Sequence, residues 1–321
     1  MKTSNGSVET NSTSFNSPLN RFQRKFIQQK EWQLYLFVLP AVIFFFIHSY
    51  IPMAGLQIAF KNYSISKGIL ASPWIGFTHF EKFIKSPMFS RLMVNTIKLS
   101  LYNIVLGFPY PILFALVLNH LRLKGLRRFS QTVAFAPHFI SLVVMVGMIY
   151  LFLSPSSGVV NVFIEKLGGE PVFFMGSSAW FRPIFVISWI WQHSGYEAII
   201  YLAALSAVDI SLYEAATIDG ANKIQKILRI DIPAITPTLV TMLLLKVGRM
   251  LNVDYQKALL MQTALNQDTS EIIGTYVYKV GLINAQFSYS TAINLFQTVI
   301  NLALIIAVNK ISKKVADESL W

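Results

Sequence analysis

The chain has 321 residues, 54% of them hydrophobic and only 13% charged, which is too apolar for a soluble domain of ordinary make-up and points to a multi-spanning membrane protein. Its net charge of +12 comes with no aromatic-interleaved basic patch on a soluble module, so a nucleic-acid partner is excluded. The absence of cysteine excludes disulfides and thiolate metal sites.

In chain order, residues 1–20 are rich in Ser, Asn and Thr, and Arg21, Arg24, Lys25 and Lys30 follow. Residues 1–31 therefore read as a disordered cytoplasmic tail ending in a basic anchor. A cleaved signal peptide is the rival reading, but the apolar segment is long and no A-x-A-like site follows it. Apolar runs long enough to cross a bilayer, roughly 20 residues each, lie near 34–53, 92–118, 133–153, 183–208, 237–261 and 289–308. They are continuous rather than alternating, and too long for barrel strands, so they are helices. The fold class is all-α, a polytopic membrane protein with about six transmembrane helices. The expected organisation is a first helix with an extracellular loop over 32–91, a five-helix core over 92–310 and a C-terminal tail over 311–321.

An even number of spans puts both termini on one side. That side holds fifteen Lys/Arg against nine on the other, so the positive-inside rule makes the termini cytoplasmic. The loop over 209–237 is then also cytoplasmic, and it is longer than a plain helix connection needs. Ser211-x-x-Glu214 has capping-box spacing, and a short helix should run to about Ile218. Gly220 falls where that helix should stop. After it, Ile224, Ile227 and Leu228 share a helical face, away from Lys223, Lys226 and Arg229, until Pro233 and Pro237 break the pattern. Such a stripe needs a partner, either this protein's own core or another protein.

Glu214-Ala215-Ala216, Asp219-Gly220-Ala221 and Ile232-Pro233 with Pro237 beyond resemble the EAA signature of ATP-binding-cassette importer permeases. The segments 199–205, Leu251-Asn252-Val253, Thr275-Tyr276-Val277-Tyr278 and Asn309-Lys310-Ile311-Ser312 are similar to the LplB-like branch of the maltose-type carbohydrate permeases, over most of the chain after about residue 92. The resemblance implies a type I importer permease fold in the bacterial plasma membrane. It also implies a second, homologous but non-identical permease, a pair of cytoplasmic ATPase subunits and an extracellular solute-binding lipoprotein that delivers an oligosaccharide. ATP and Mg would sit on the ATPase and no cofactor on this chain, which has no G-x-x-x-x-G-K-[ST] loop. The coupling set carried over is Glu214, Ala215, Ala216, Asp219 and Gly220, with Ile224, Ile227 and Leu228 as the apolar docking face.

The substrate path is sought among polar groups inside the spans. Lys246 and Arg249 share a face, roughly 15 to 20 Å into the fifth span, where each charge costs about 2.5 to 3.5 kcal/mol. They either pair internally, with Glu197 or Asp254, or line the path of an acidic substrate such as a uronate-containing, rhamnogalacturonan-like fragment. Asn294, Gln297 and Asn301 form a polar face that binds sugar hydroxyls or joins helices. Asn252, Tyr196 and Tyr255, with Trp189 and Trp191, complete the candidates; aromatic rings stack on sugars but also gather at membrane interfaces. Tyr276 and Tyr278, in the loop after the fifth span, are available to meet a delivering protein. A membrane-embedded enzyme is disfavoured, because neither H-E-x-x-H nor G-x-S-x-G occurs and the five histidines are scattered. An ion-coupled secondary transporter would explain the buried charges but lacks a repeated half, and a permease for a neutral sugar is the remaining alternative.

Overall fold

The structure is a computed structural model that describes residues 32–316. The basic anchor at Arg21, Arg24, Lys25 and Lys30 and the last residues of the C-terminal tail lie outside the described residues. The chain divides into two compact units, one ending at Gln57 and one beginning at Ile58.

Among the described residues, the first unit is made up mainly of helix α1, Gln33–Phe60, as far as Gln57. A proline inside a helix lacks an N–H and clashes with the carbonyl four residues back. Pro52 is accommodated by a wider π turn over Phe46–Tyr50, where Ile51 N–H reaches Phe46 O, five residues back.

Among the described residues, the regular structure of the second unit is helical, apart from an isolated bridge between Lys61 and Trp74. Its elements are α2 (Thr78–Ile84), α3 (Pro87–Asn119), α4 (Lys124–Phe135), α5 (Leu142–Phe152), α6 (Val159–Lys166), α7 (Ser178–Ser206), α8 (Ile210–Ile218), α9 (Lys223–Gly248), α10 (Tyr255–Met261), α11 (Ile273–Ile283) and α12 (Phe287–Ala316). Among the described residues four helices are long and apolar enough to cross a membrane, and six spans result if each of two bent pairs counts once.

Two expected spans change shape. The run at 133–153 is no straight helix: it bends by 101° between Phe139 and Leu142, where Pro137 ends one segment and the Ser141 hydroxyl caps the next by accepting from Val144 N–H. The run at 237–261 is two elements, because α9 already ends at Gly248 and α10 begins after a turn. Pro233 and Pro237 do not break α9 either. A π turn over Ile227–Asp231, in which Ile232 N–H reaches Ile227 O, absorbs Pro233 and lets the helix run on from Lys223.

Helix α7 is the hub. Its lower half buries Ala198, Tyr201, Leu202 and Leu205 against Ala115, Leu116 and Leu118 of α3 and Ile235 of α9. Its upper half buries Phe181, Phe185 and Val186 with Leu99, Val146, Ala258 and Met261. Where α7 crosses α4, a Cβ on Gly195 would overlap the Ala134 carbonyl, so only glycine permits this approach.

The segment between α9 and α12 is a packed plug rather than an open loop. Buried Glu271 pairs with Lys279 at 2.8 Å, and Asn95 Nδ2 donates to Asp268 O and Glu271 O at 2.8 and 2.9 Å while its Oδ1 accepts from Arg182. Tyr276 packs against the cluster of Phe83, Leu92, Ile273 and Ile293 instead of standing free. Lys257, one of the nine basic residues that the sequence places on the outer side, is fully buried and donates to Phe185 O at 3.0 Å.

Gly195→Val should lower the yield of monodisperse protein in size-exclusion chromatography and cost about 1–3 kcal/mol or more in overpacking. Gly125→Ala, on α4 with open space around it, should leave both yield and thermal midpoint unchanged.

Candidate functional site

Two features stand out, a charged cavity inside the bundle and a helical hook at the foot of α9. The cavity measures about 490 Å³. Its walls are Ser100, Asn103, Ile104 and Phe108 of α3, Trp189, Glu197, Ile200 and Tyr201 of α7, Met242, Leu245 and Lys246 of α9, and Arg249, Met250, Asn252, Val253 and Asp254 of the turn that follows. Lys246 Nζ lies 3.4 Å from Glu197 Oε2 and 4.4 Å from the centre of the Trp189 ring. His193 stacks on the same ring at 4.9 Å, so Trp189 lines the cavity while its ring also packs against Lys246 and His193. Arg249, by contrast, is exposed to the cavity and has no ion pair or side-chain hydrogen bond among the described residues. Asp254 does not pair with either cation; its Oδ1 accepts from Lys257 N–H at 3.0 Å and caps α10. The formal charges of the lining balance, but geometry splits them into a closed Lys246–Glu197 pair and an open guanidinium.

The turn carrying Arg249 is held from α12. Gln297 Nε2 donates to Leu251 O at 2.5 Å and to Asn252 Oδ1 at 2.7 Å, Asn301 Nδ2 donates to Asn252 Oδ1 at 3.2 Å, and Asn301 Oδ1 accepts from Leu251 N–H at 3.1 Å. The Ser100 hydroxyl donates to Met250 O from the other side. Gln297 and Asn301 are therefore a clamp, while Asn294, one turn earlier in α12, is exposed. Tyr196 stacks on His138 at 4.0 Å and Tyr255 packs beside Tyr278, and neither lines the cavity. Asn103, not singled out from the sequence, lines the cavity with a buried Oδ1 that has no partner; Ser100 and Asn103, three apart in an apolar run, were the signal for it.

The hook begins at Asp209, whose carboxylate accepts from Ser211 N–H at 2.9 Å. That bond holds the Asp209 carboxyl below the usual carboxylate range. The N-cap is thus Asp209 and not Ser211, and Glu214 is left exposed on α8 with Ala215. The far end closes as a Schellman turn, with Ala221 N–H to Ala216 O at 2.8 Å, Gly220 N–H to Thr217 O at 3.1 Å and Gly220 at φ +74°. Asn222 and Gln225 then cap α9 reciprocally at 2.9 and 2.8 Å. The expected apolar stripe divides. Ile224 and Leu228 are exposed, joined by Ile218 at 86% exposure, whereas Ile227 turns inward and packs on the α3–α7 core, because the π turn begins there and shifts the helical phase.

Gln297→Leu should strip Leu251 O of this donor, leave Asn252 Oδ1 with Asn301 alone and cost about 1–3 kcal/mol. Asn294→Leu should stay within about 0.5 kcal/mol of the parent, and thermal unfolding of the two variants in detergent compares them.

Residues 107–317 match the model of the binding-protein-dependent transport system inner membrane component family. The chain is 41% identical over 297 residues to the polygalacturonan/rhamnogalacturonan transport system permease protein YteP of Bacillus subtilis, covering 92% of each. It is 39% identical over 295 residues to protein LplB of the same organism, again covering 92% of each. Among solved structures it is similar, with TM-score 0.85 and 38% identity over 92% of this chain and 99% of the other, to a chain of a bacterial ABC transporter that imports the acidic polysaccharide alginate.

Proposed function

Since the chain belongs to the family of binding-protein-dependent transport system inner membrane components, we propose that its charged cavity forms part of the path of an acidic oligosaccharide. The chain is a multi-pass inner-membrane permease subunit of an ABC importer, without catalytic chemistry of its own.

The observation that carries the substrate class is Arg249. A guanidinium left open on a cavity wall, beside a lysine already closed onto Glu197, offers a planar donor fork to a carboxylate. A uronate meets that demand, and a neutral hexose does not. The names of similar proteins support the reading: polygalacturonan and alginate are both uronic-acid polymers. A charge-assisted bond at this position is worth about 1.5–3 kcal/mol.

The assembly we propose has a second, non-identical permease closing the other side of the path, an external binding protein delivering the sugar, and a pair of ATPase subunits in the cytoplasm. Both termini and the hook face the cytoplasm. The hook, through Glu214, Ala215, Ala216, Asp219 and Gly220 with the exposed Ile224 and Leu228, docks on an ATPase subunit. ATP and Mg are held there. The left-handed Gly220 and the exposed apolar set are the features that support docking.

In the complex reconstituted in liposomes, acidic oligogalacturonides should stimulate ATP hydrolysis and neutral oligomers of equal length should not. Arg249→Gln should reduce the stimulation by about tenfold or more, the equivalent of about 1.4 kcal/mol. Equal stimulation by neutral and acidic oligomers removes the acidic reading. Gly220→Asp and Glu214→Lys should leave the chain in the membrane and abolish co-purification with the ATPase; full uptake by Gly220→Asp overturns the docking.

A further inference from the structure

Asp231 is the last residue of the π turn below Pro233, and its side chain is 0% exposed. A buried carboxylate is costly unless both oxygens are bonded. Here both are. The Tyr213 hydroxyl of α8 donates to Oδ1, and His120, the residue that ends α3, meets Oδ2 through Nε2 at 2.5 Å. A carboxylate only accepts, so His120 presents its proton on Nε2. Burial, with the Asp231 carboxylate beside it, pushes the Tyr213 hydroxyl up to about 12, so this donor keeps its proton at neutral pH.

Three elements therefore meet at one group, and they have different tasks. Of the nine residues of α8, all but Tyr213 and Ala216 are exposed, so the hook has little else by which to hold the bundle. Lys226 Nζ does bond Thr217 Oγ1 at 2.6 Å, but that contact is exposed and stays within the hook and the first turn of α9. The other two elements, α3 and α9, carry Ser100, Asn103, Met242 and Lys246, which wall the cavity. From Asp231 to Lys246 is about 22 Å along α9.

We infer that Asp231 is the joint through which movement of the hook reaches the cavity: the two hydrogen bonds on its buried carboxylate lock α8 to α3 and α9, so that the three move as one body. The inference rests on the docking proposed above, because an ATPase must first move the hook. Tyr213, His120 and Asp231 are positioning residues, and none of them touches substrate.

The test is made on the full reconstituted complex with Tyr213→Phe, which removes only the hydroxyl, and Asp231→Asn, which keeps the shape. The joint predicts that both variants still co-purify with the ATPase and retain basal ATP hydrolysis, while substrate-stimulated hydrolysis and uptake fall at least tenfold. Distances between spin labels on the hook and in the upper half of α9 supply a readout that loss of stability would not mimic. On trapping with ATP the hook should still shift in Tyr213→Phe, and α9 should no longer follow. Should Asp231→Asn fail to fold, Tyr213→Phe decides alone, since its ring stays in place. Stimulated hydrolysis within twofold of the parent in Tyr213→Phe overturns the joint, as does loss of ATPase binding in that variant, which would make the cluster part of the docking surface. Failure of docking itself is seen separately, in a Gly220→Asp chain that still binds the ATPase.

Discussion

Hydrocarbon accepts no hydrogen bonds, so each polar group inside the bundle must find its partner in the chain or face a cavity. This constraint places most of the side chains discussed above. Gln297 and Asn301 spend their donors on the turn after α9, Glu271 is closed by Lys279, Lys246 by Glu197, and Asp231 by Tyr213 and His120. Among the groups these bonds leave over, Arg249 and Asn103 belong to the lining of one cavity, whereas His138 Nδ1, Arg182 Nε, Gln192 Oε1 and Ser194 Oγ lie on residues outside it. A group left over after satisfaction is accounted for is a better pointer to a substrate path than polarity alone.

The bundle was legible where a single physical term dominates. Long apolar runs between 34 and 308 could only be helices, and a glycine after Ile218 could only stop one. Where two terms compete the sequence was less direct. Residues 237–261 read as one run because α9 is apolar enough to cross a membrane while the apolar residues of α10, Ala258 and Met261, are buried in the protein, so hydropathy does not separate a span from a plug helix. Asp209 and Ser211 are both good caps, and the capping-box spacing favoured Ser211. Its backbone N–H is already taken by Asp209, which decides the matter.

The site divides in the same manner. Lys246, Arg249 and Glu197 were conspicuous as charges in an apolar setting, and the i, i+7 spacing of Asn294 and Asn301 marked a polar face without saying which members turn inward. The bond between His120 and Asp231 crosses 111 positions of sequence and has no local signature. Nor does the inward turn of Ile227, which depends on the helix changing its hydrogen-bond register at that residue.

That change of register has a geometric consequence. A π turn holds one residue more than the α turn it replaces, so it rotates everything above it by about 100° relative to everything below. A helical wheel drawn through α9 from Lys223 to Gly248 is therefore out of phase across its two halves. The foot can aim Ile224 outward and Asp231 inward while the upper half independently aims Lys246 at the cavity. The π turn thus frees the azimuth of each end, and the length of this helix, more than its composition, is what substitution by homologous segments would have to preserve.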